Sequence, residues 1–246
     1  MSVEPANPKS NSKKQWPPRF YRLWRKTWAD QMHRPLIRWF AYLELYLFDH
    51  GFLRPFYNRP ELVADGVYRS AQPSPAVIRK LAGQGFCTIV SLRGTGLNGT
   101  SLLAAEACRQ TGLTLHCLKM KSRQAPSIDM IRQLTDIVGK ARKPMLLHCK
   151  SGADRSGIAA AICLLLADSN AIAAAQRQLS WRYLHVRQAR TGILDAFLQE
   201  YADFRADHDI TFMEWVEHHY DPKALQATFK PRGWANWLVD GLLRRE

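Results

Sequence analysis

The segment from Pro144 to Ala167 most constrains what this chain can fold into. It reads PMLLHC, then KSGADR, then SGIAAAICLLLA. A short apolar run, a loop of small and polar residues, and an apolar run of helical length predict a buried strand, a tight turn and a buried helix. A strand that is apolar throughout is typical of a parallel sheet covered on both faces.

The same order of elements recurs along the chain from residue 65. The predicted strands are GVYRSA, FCTIVSLRG, LTLHCLKM and PMLLHC, and the helices between and after them are SPAVIRKLAGQG, SLLAAEACRQTG, SIDMIRQLTDIVGKA and SGIAAAICLLLA. This alternation predicts an α/β fold, with a central, mostly parallel sheet of four to five strands flanked by helices. Active sites of such sheets lie beyond the carboxyl ends of the strands, where Cys149 falls.

Charge and cysteine usage narrow the class of protein. The chain has 246 residues, with 35 Lys and Arg against 21 Asp and Glu, and a net charge of +14. Such a surface attracts nucleic acid, anionic lipid or phosphorylated substrates. Five cysteines form no CxxC pair and no zinc-ligand spacing, so we expect a reducing compartment, no metal and no cofactor. No secretory signal and no membrane-spanning run is predicted, and no nucleic-acid recognition motif is present.

The residues His148 to Gly157, HCKSGADRSG, have the composition of an anion site. A loop that enters a helix presents several backbone N–H groups, and the helix dipole adds positive potential. Gly152 permits a tight curl, and Arg155 offers a planar fork of donors to two oxygens of one anion. A thiol at Cys149 inside this ring is expected to ionise readily and to attack phosphorus.

This segment resembles the HCxxGxxR[ST] signature of the cysteine-based protein tyrosine and dual-specificity phosphatases. Together with GVYRSAQPS and TIVSLRG, this signature makes roughly residues 60–185 resemble the compact atypical group of dual-specificity phosphatases. The resemblance implies that Cys149 is the nucleophile, that Ser156 assists departure of the sulfur, and that His148 supports the loop. Phosphate is then bound by Lys150, Ser151, Gly152, Ala153, Asp154 and Arg155.

The resemblance predicts a phosphatase for phosphotyrosine or dual-specificity protein substrates that acts through a cysteinyl-phosphate. Two alternatives stay open: a lipid or inositol phosphate phosphatase of the same mechanism, and a catalytically weak phosphate-binding module. The implied partner is a phosphorylated protein or another anionic phosphate ester, and the implied location is cytoplasmic, including the inner face of the membrane. No specific nucleic-acid partner is expected.

One component of the family pattern is missing from its usual place. Relatives carry an aspartate about thirty residues before the cysteine, which protonates the leaving group. Here the stretch Leu115 to Ser127, LHCLKMKSRQAPS, contains no carboxylate. Asp154 is one candidate for the acid, as in myotubularin lipid phosphatases, which this arrangement resembles. Asp129 is a second candidate, and the absence of any protein acid is a third possibility.

Basic residues elsewhere are candidates for the rim of the pocket. They are Lys119, Lys121 and Arg123, with Arg182, His185 and Arg187 from the segment SWRYLHVRQAR, which is interpreted either as part of the same face or as a solvated basic surface. Arg69 and Arg93 follow predicted strands, so each is interpreted either as facing the pocket or as a solvated surface residue.

The predicted domains are a disordered tail over 1–18, a basic amphipathic helical segment over 19–60, a phosphatase domain over 61–206 and a helical extension over 207–246. Residues 1–60 carry 11 basic and 4 acidic side chains, a net +7. The segment 19–57 is interpreted either as a peripheral contact with an anionic membrane or as a helix that packs on the phosphatase domain.

Overall fold

The computed structural model describes residues 28–48, 59–96 and 98–231. The predicted tail over 1–18 and the last predicted helix, ANWLVDGLLRRE, lie outside the described residues. Of the predicted segment 19–60, residues 28–48 and 59–60 are described. The predicted domain boundaries at 61, 206 and 207 remain predictions.

A five-stranded sheet forms the centre of the fold, in the order β1-β2-β5-β3-β4. Its strands are β1 (Glu61–Ala64), β2 (Val67–Ser70), β3 (Thr88–Ser91), β4 (Thr114–Cys117) and β5 (Met145–His148). Strand β1 pairs with β2 antiparallel, and all other pairs are parallel. The prediction of an α/β fold with a mostly parallel sheet is therefore confirmed, with β1 as an additional edge strand.

Helices cover both faces of this sheet, and further helices precede the first strand and follow the last strand along the chain. They are α1 (Trp28–Gln31), α2 (Pro35–Leu43, continued by a π-helical turn over Glu44–Phe48), α3 (Pro75–Gly83), α4 (Gly99–Thr111), α5 (Ile128–Lys140), α6 (Asp154–Ala167), α7 (Ile172–Arg177), α8 (Ile193–Asp207), α9 (Phe212–His218) and α10 (Pro222–Thr228). The predicted ends at Ser74 and Gly112 are observed, as an N-cap and as a left-handed C-cap with φ +73°.

Alternate residues of β5 enter two different cores. Leu146 packs with Ile89 beneath α3 and α4, whereas Leu147 packs with Val90 on the side of α5 and α6. Both faces of the strand are buried, because successive side chains of a strand point to opposite sides of the sheet. Buried in this way, β5 provides a rigid base for the loop that follows it.

Helix α6 is central to the larger core, since its residues Ile158 to Ile162 are all fully buried. A helix that is apolar around its whole circumference has to be enclosed by protein. Sheet strands, α5, α7 and α9 surround it. Residues of α9 and α10 belong to this same core, among them Phe212, Trp215 and Leu225.

The N-terminal helix α2 packs one face on α4. Ile37, Ala41 and Leu45 form a small core with Trp28 and Leu103. A carboxylate oxygen of Glu44 accepts a hydrogen bond at 2.8 Å from the backbone N–H of Gly99, which begins α4. None of the described helices is both long enough and apolar enough to cross a bilayer.

Candidate active site

The signature loop, defined here as residues 148–156, leaves the carboxyl end of β5 and enters α6. The helix begins at Asp154, two residues before the start predicted from sequence, so Asp154 and Arg155 lie in its first turn. Gly152 has φ +81°, a left-handed conformation that a residue with a Cβ rarely adopts. This glycine allows the backbone to curl around Cys149.

Cys149 lies inside this curl and is only 2% exposed. The backbone N–H of Gly152 donates to Sγ at 3.2 Å, and the hydroxyl of Ser156 lies 3.5 Å from it. Burial opposes ionisation of the thiol, but the positive charge of Arg155 and the hydrogen bond from Ser156 outweigh it and lower the pKa of Cys149.

A polar cavity of about 460 Å³ opens beside the loop. It is lined by Arg93, Asn98, Met120, Lys121, Ser122, Arg123, Gln124, Lys150 and Arg155. The described lining thus contains five cationic side chains and no carboxylate. Cys149 is not among these lining residues, but Lys150 and Arg155 of the same loop are, so the cavity has the charge and polarity to receive an anionic group beside the loop.

The predicted loop residues divide into two sets. Lys150 and Arg155 line the cavity, while Gly152, Ala153, Asp154 and Ser156 are buried and Ser151 is half-buried. His148 is fully buried at the end of β5, and its Nδ1 lies 3.3 Å from the carbonyl oxygen of Cys149. The roles given to these residues by resemblance remain predictions.

Asp154 lies on the inner side of the loop and is 5% exposed. Its Oδ1 is 2.6 Å from Nδ1 of His185, and Nε2 of His185 is 2.7 Å from Oδ2 of Asp195 on α8. Burial alone would lower the pKa of His185, but hydrogen bonds to the two carboxylates raise it to about 9. His185 therefore carries a positive charge at neutral pH.

The expectation for His185 is wrong, because this residue is 3% exposed and lies beneath the loop instead of at the pocket rim. Its exposed neighbour Arg182 contacts Glu61 at 3.2 Å, and Arg187 lies 4.0 Å from Asp195. Neither arginine lines the cavity. Of the other predicted rim residues, Lys121 and Arg123 line the cavity and Lys119 does not.

Both interpretations of Arg69 are wrong, since its side chain neither faces the pocket nor lies in solvent. It is 2% exposed and lies behind the loop, where Nη2 donates to the carbonyl oxygens of Gly152 at 2.6 Å and Ala153 at 3.3 Å. Burial lowers the pKa of Arg69 to about 10, which still leaves it protonated at neutral pH. Arg93 lines the cavity, and its Nη1 donates to Oε1 of Gln72 at 2.9 Å.

The second candidate for the acid, Asp129, lies in the first turn of α5. Its side chain is 82% exposed and pairs with Arg132 at 3.5 Å, one turn along the helix. It is absent from the lining of the cavity. Across the described residues, no group of three or more His, Cys, Asp or Glu side chains is arranged to hold a metal ion.

Comparison with known proteins supplies the family. Residues 60–185, which are 126 of the 246 residues, match the family described as "DSP-PTPase phosphatase fused to NAD+ Kinase". The chain belongs to this phosphatase family. The match spans the sheet, the signature loop and His185, so the resemblance seen in the sequence is confirmed. No curated protein sequence gives a significant match.

Solved phosphatase structures show limited overall similarity to the chain. TpbA of P. aeruginosa is 19% identical with a TM-score of 0.46, and the alignment covers 62% of this chain and 96% of TpbA. The core catalytic domain of the PP-IP phosphatase SIW14 of S. cerevisiae is 16% identical with a TM-score of 0.47, covering 62% and 96%. A Neisseria meningitidis protein described as "a putative phosphatase" is 16% identical with a TM-score of 0.44, and the alignment covers 58% of this chain and 95% of that protein.

Proposed function

We propose that this protein hydrolyses phosphate monoesters through a cysteinyl-phosphate on Cys149. The observation that carries the proposal is the sulfur itself, which receives hydrogen bonds from Gly152 and Ser156 and is biased toward thiolate by Arg155. In the first step sulfur attacks phosphorus, the S–P bond forms and the P–O bond to the leaving group breaks. In the second step water attacks phosphorus, the S–P bond breaks and inorganic phosphate leaves.

The surroundings of Cys149 support both steps. Arg155 and the loop N–H groups stabilise the charge on the equatorial phosphoryl oxygens, which is greatest in the transition state. The hydroxyl of Ser156, 3.5 Å from the sulfur, stabilises the thiolate when it departs in the second step. We propose phosphotyrosine and dual-specificity protein substrates as the first substrate class.

The test uses an aryl phosphate and a phosphotyrosine peptide. Cys149→Ser is expected to abolish turnover while vanadate or phosphate still binds, because the loop and Arg155 remain. Rapid quenching of the wild type with labelled substrate should trap one phosphoryl group per chain on Cys149. Turnover by the Cys149→Ser variant would contradict the mechanism, and cysteinyl-phosphate that forms but is never hydrolysed would indicate a weak phosphate-binding module.

The cationic cavity favours a second candidate, a phosphatase for lipid or inositol phosphates. Lys121 and Arg123 lie outside the signature loop but line the same cavity, where they are positioned to contact another phosphate of one substrate. Lys121→Met and Arg123→Met are then expected to raise KM at least about tenfold for an inositol polyphosphate, with little change for an aryl monophosphate. Lys140→Met, at the exposed last residue of α5, is the matched control. Equal effects on both substrates would exclude this candidate.

A further inference from the structure

The signature loop is held from behind by side chains that do not line the cavity. When loop N–H groups point toward a central anion, the carbonyls of the same peptides point away from it. Two of these carbonyls, on Gly152 and Ala153, accept hydrogen bonds from Arg69. The other guanidinium nitrogen of Arg69 donates to the backbone oxygen and to Oε1 of Gln178, each at 2.8 Å. The guanidinium also lies 3.8 Å from the ring centroid of Tyr183.

The second point of attachment is the carboxylate of Asp154. Both ring nitrogens of His185 face carboxylate oxygens, at 2.6 and 2.7 Å. A carboxylate ion only accepts hydrogen bonds, so when both carboxylates are ionised both nitrogens carry a proton and the ring is a cation. The side chain of His185 is fully buried, and Asp195 fixes it to α8. Asp154 is thus joined to α8 through one imidazole ring.

This arrangement conflicts with a role for Asp154 as proton donor. A general acid has to hold a proton and to lie within hydrogen-bond reach of the leaving oxygen. Asp154 instead lies 2.6 Å from Nδ1 of the buried His185, whose other ring nitrogen is held by Asp195. The charged groups around His185 are Asp154 and Asp195, with Arg187 beside Asp195 and Arg69 bound to the carbonyl oxygen of Ala153, the residue before Asp154.

We propose that His185 is a positioning residue that holds Asp154 as an ionised anchor of the signature loop, and that the leaving group receives no proton from Asp154. This inference rests on the proposed function and specifies its substrate class. Without a proton donor in the cavity, esters with acidic leaving groups such as phenols react well, and esters of alkyl alcohols react poorly. Phosphotyrosine is then favoured over phosphoserine.

The experiment measures kcat/KM for aryl phosphates of graded leaving-group pKa and for one alkyl phosphate. For the wild type, log kcat/KM is expected to fall steeply as leaving-group pKa rises. Asp154→Asn and His185→Gln are each expected to lower every rate by a similar factor, about 100-fold, because a displaced loop affects all substrates alike. The slope of log kcat/KM against leaving-group pKa stays as in the wild type for both variants. The double variant is expected to have the same kcat/KM as either single variant.

Asp168→Asn, at the opposite end of α6, is the matched control and should behave as the wild type. The proposal is overturned if the wild-type slope is shallow and Asp154→Asn becomes steep by losing poor leaving groups selectively, since that is the behaviour of a lost acid. The proposed function fails in a different way, by turnover that does not depend on Cys149.

A second measurement is made on the wild-type protein and does not depend on turnover, so it tests the proposal even where the variants fold poorly. Nitrogen NMR of the wild-type protein at pH 7 should show both ring nitrogens of His185 protonated, with the resonances assigned by their loss in His185→Gln. A neutral tautomer at pH 7 would overturn the proposal even if every kinetic result agreed with it.

Discussion

The thiol of Cys149 is buried, and burial by itself would raise its pKa, as it does for Cys163. The difference between these two cysteines is the environment at the end of β5. Cys163 lies within α6 among apolar side chains, whereas Cys149 faces Arg155 and accepts a hydrogen bond from Gly152. A single guanidinium and a few donors thus decide whether a buried thiol is inert or nucleophilic.

This contrast predicts the reaction of the protein with iodoacetamide. The alkylation rate of Cys149 should rise with pH along a curve whose midpoint lies below the ordinary thiol pKa of about 8.5. Arg155→Met removes the nearby charge and should move the midpoint upward by at least about one unit. Cys117, an exposed thiol, is the internal reference, followed by mass spectrometry of its peptide. Equal midpoints for wild type and Arg155→Met would contradict the electrostatic account.

At the scale of elements, α6 and the loop before it depend on close packing with the chain around Gln178. A Cβ built on Gly157 would lie 2.8 Å from the carbonyl oxygen of Gln178 and 3.4 Å from Nη2 of Arg69. Gly157 therefore permits the approach that brings Arg69 and Gln178 together behind the signature loop. A larger residue would separate them.

Gly157→Ala is accordingly expected to lower the free energy of unfolding by about 1–3 kcal/mol, because the backbone of Gln178 has to move. The same change should lower kcat/KM, since Arg69 moves with its partner. Gly139→Ala in α5 is the matched control: its Cβ would meet nothing within 4 Å, so a gain of about 0.5–1 kcal/mol is expected from helix propensity. Urea unfolding measures both values, and a neutral Gly157→Ala would show that the contact is not tight in solution.

The local sequence pattern predicts most of the helices and strands but does not predict all of the tertiary contacts. The parallel strands are continuous apolar runs, so β3 and β5 were predictable. Strand β1 was missed because Glu61–Ala64 is a half-exposed edge strand that pairs only with β2. Cys149 and Arg155 lie in one local motif, whereas Arg69 reaches the loop from 83 residues away. No local pattern distinguishes such a buried arginine from a surface one.

His185 was found in the sequence but placed wrongly for the same reason. The segment SWRYLHVRQAR looks like a solvated basic surface, and Arg182 and Arg187 are indeed exposed. The partners of His185 are Asp154, 31 residues before it, and Asp195, 10 residues after it. Only the tertiary fold, which places α8 beside the first turn of α6, brings these three residues together.

The membrane contact predicted for residues 19–57 remains a prediction. The structure describes residues 28–48 of this segment. Helix α2 buries one face on α4, but Leu36 is 64% and Trp39 57% exposed on another. Tyr46, in the π-helical turn that continues α2, is 46% exposed. Exposed apolar side chains in a segment of net positive charge favour an anionic bilayer surface.

We therefore expect the protein to sediment with vesicles that contain phosphatidylserine, and less so as salt is raised. Trp39→Gln should weaken this binding by about tenfold, because one large apolar side chain no longer inserts. Trp181→Gln is the matched control, since Trp181 is equally exposed but lies far along the chain in a 3₁₀ turn. Equal binding of both variants, or no binding by the wild type, would favour packing on the phosphatase domain as the only role of α2.

At the scale of the whole molecule, His185 links stability to pH. The histidine joins the first turn of α6 to α8. Its charged ring contacts two carboxylates in the folded state, and the unfolded chain has no such contacts. Its pKa is about 9 in the folded protein and about 6.5 when unfolded. Because the folded-state pKa is raised, this stabilisation is fully present below pH 6.5 and is lost as pH rises toward 9.

Urea unfolding of wild type and His185→Gln between pH 6 and 9.5 tests this link. The gap between their free energies of unfolding should be largest at pH 6 and should shrink by about 3 kcal/mol by pH 9.5. The titration of Cys149 occurs in both proteins and cancels in the difference. His208→Gln, at an exposed histidine at the end of α8, is measured in parallel as the control. A constant gap for His185→Gln would mean that His185 binds its carboxylates as a neutral ring, and that Asp154 is not held by a cation.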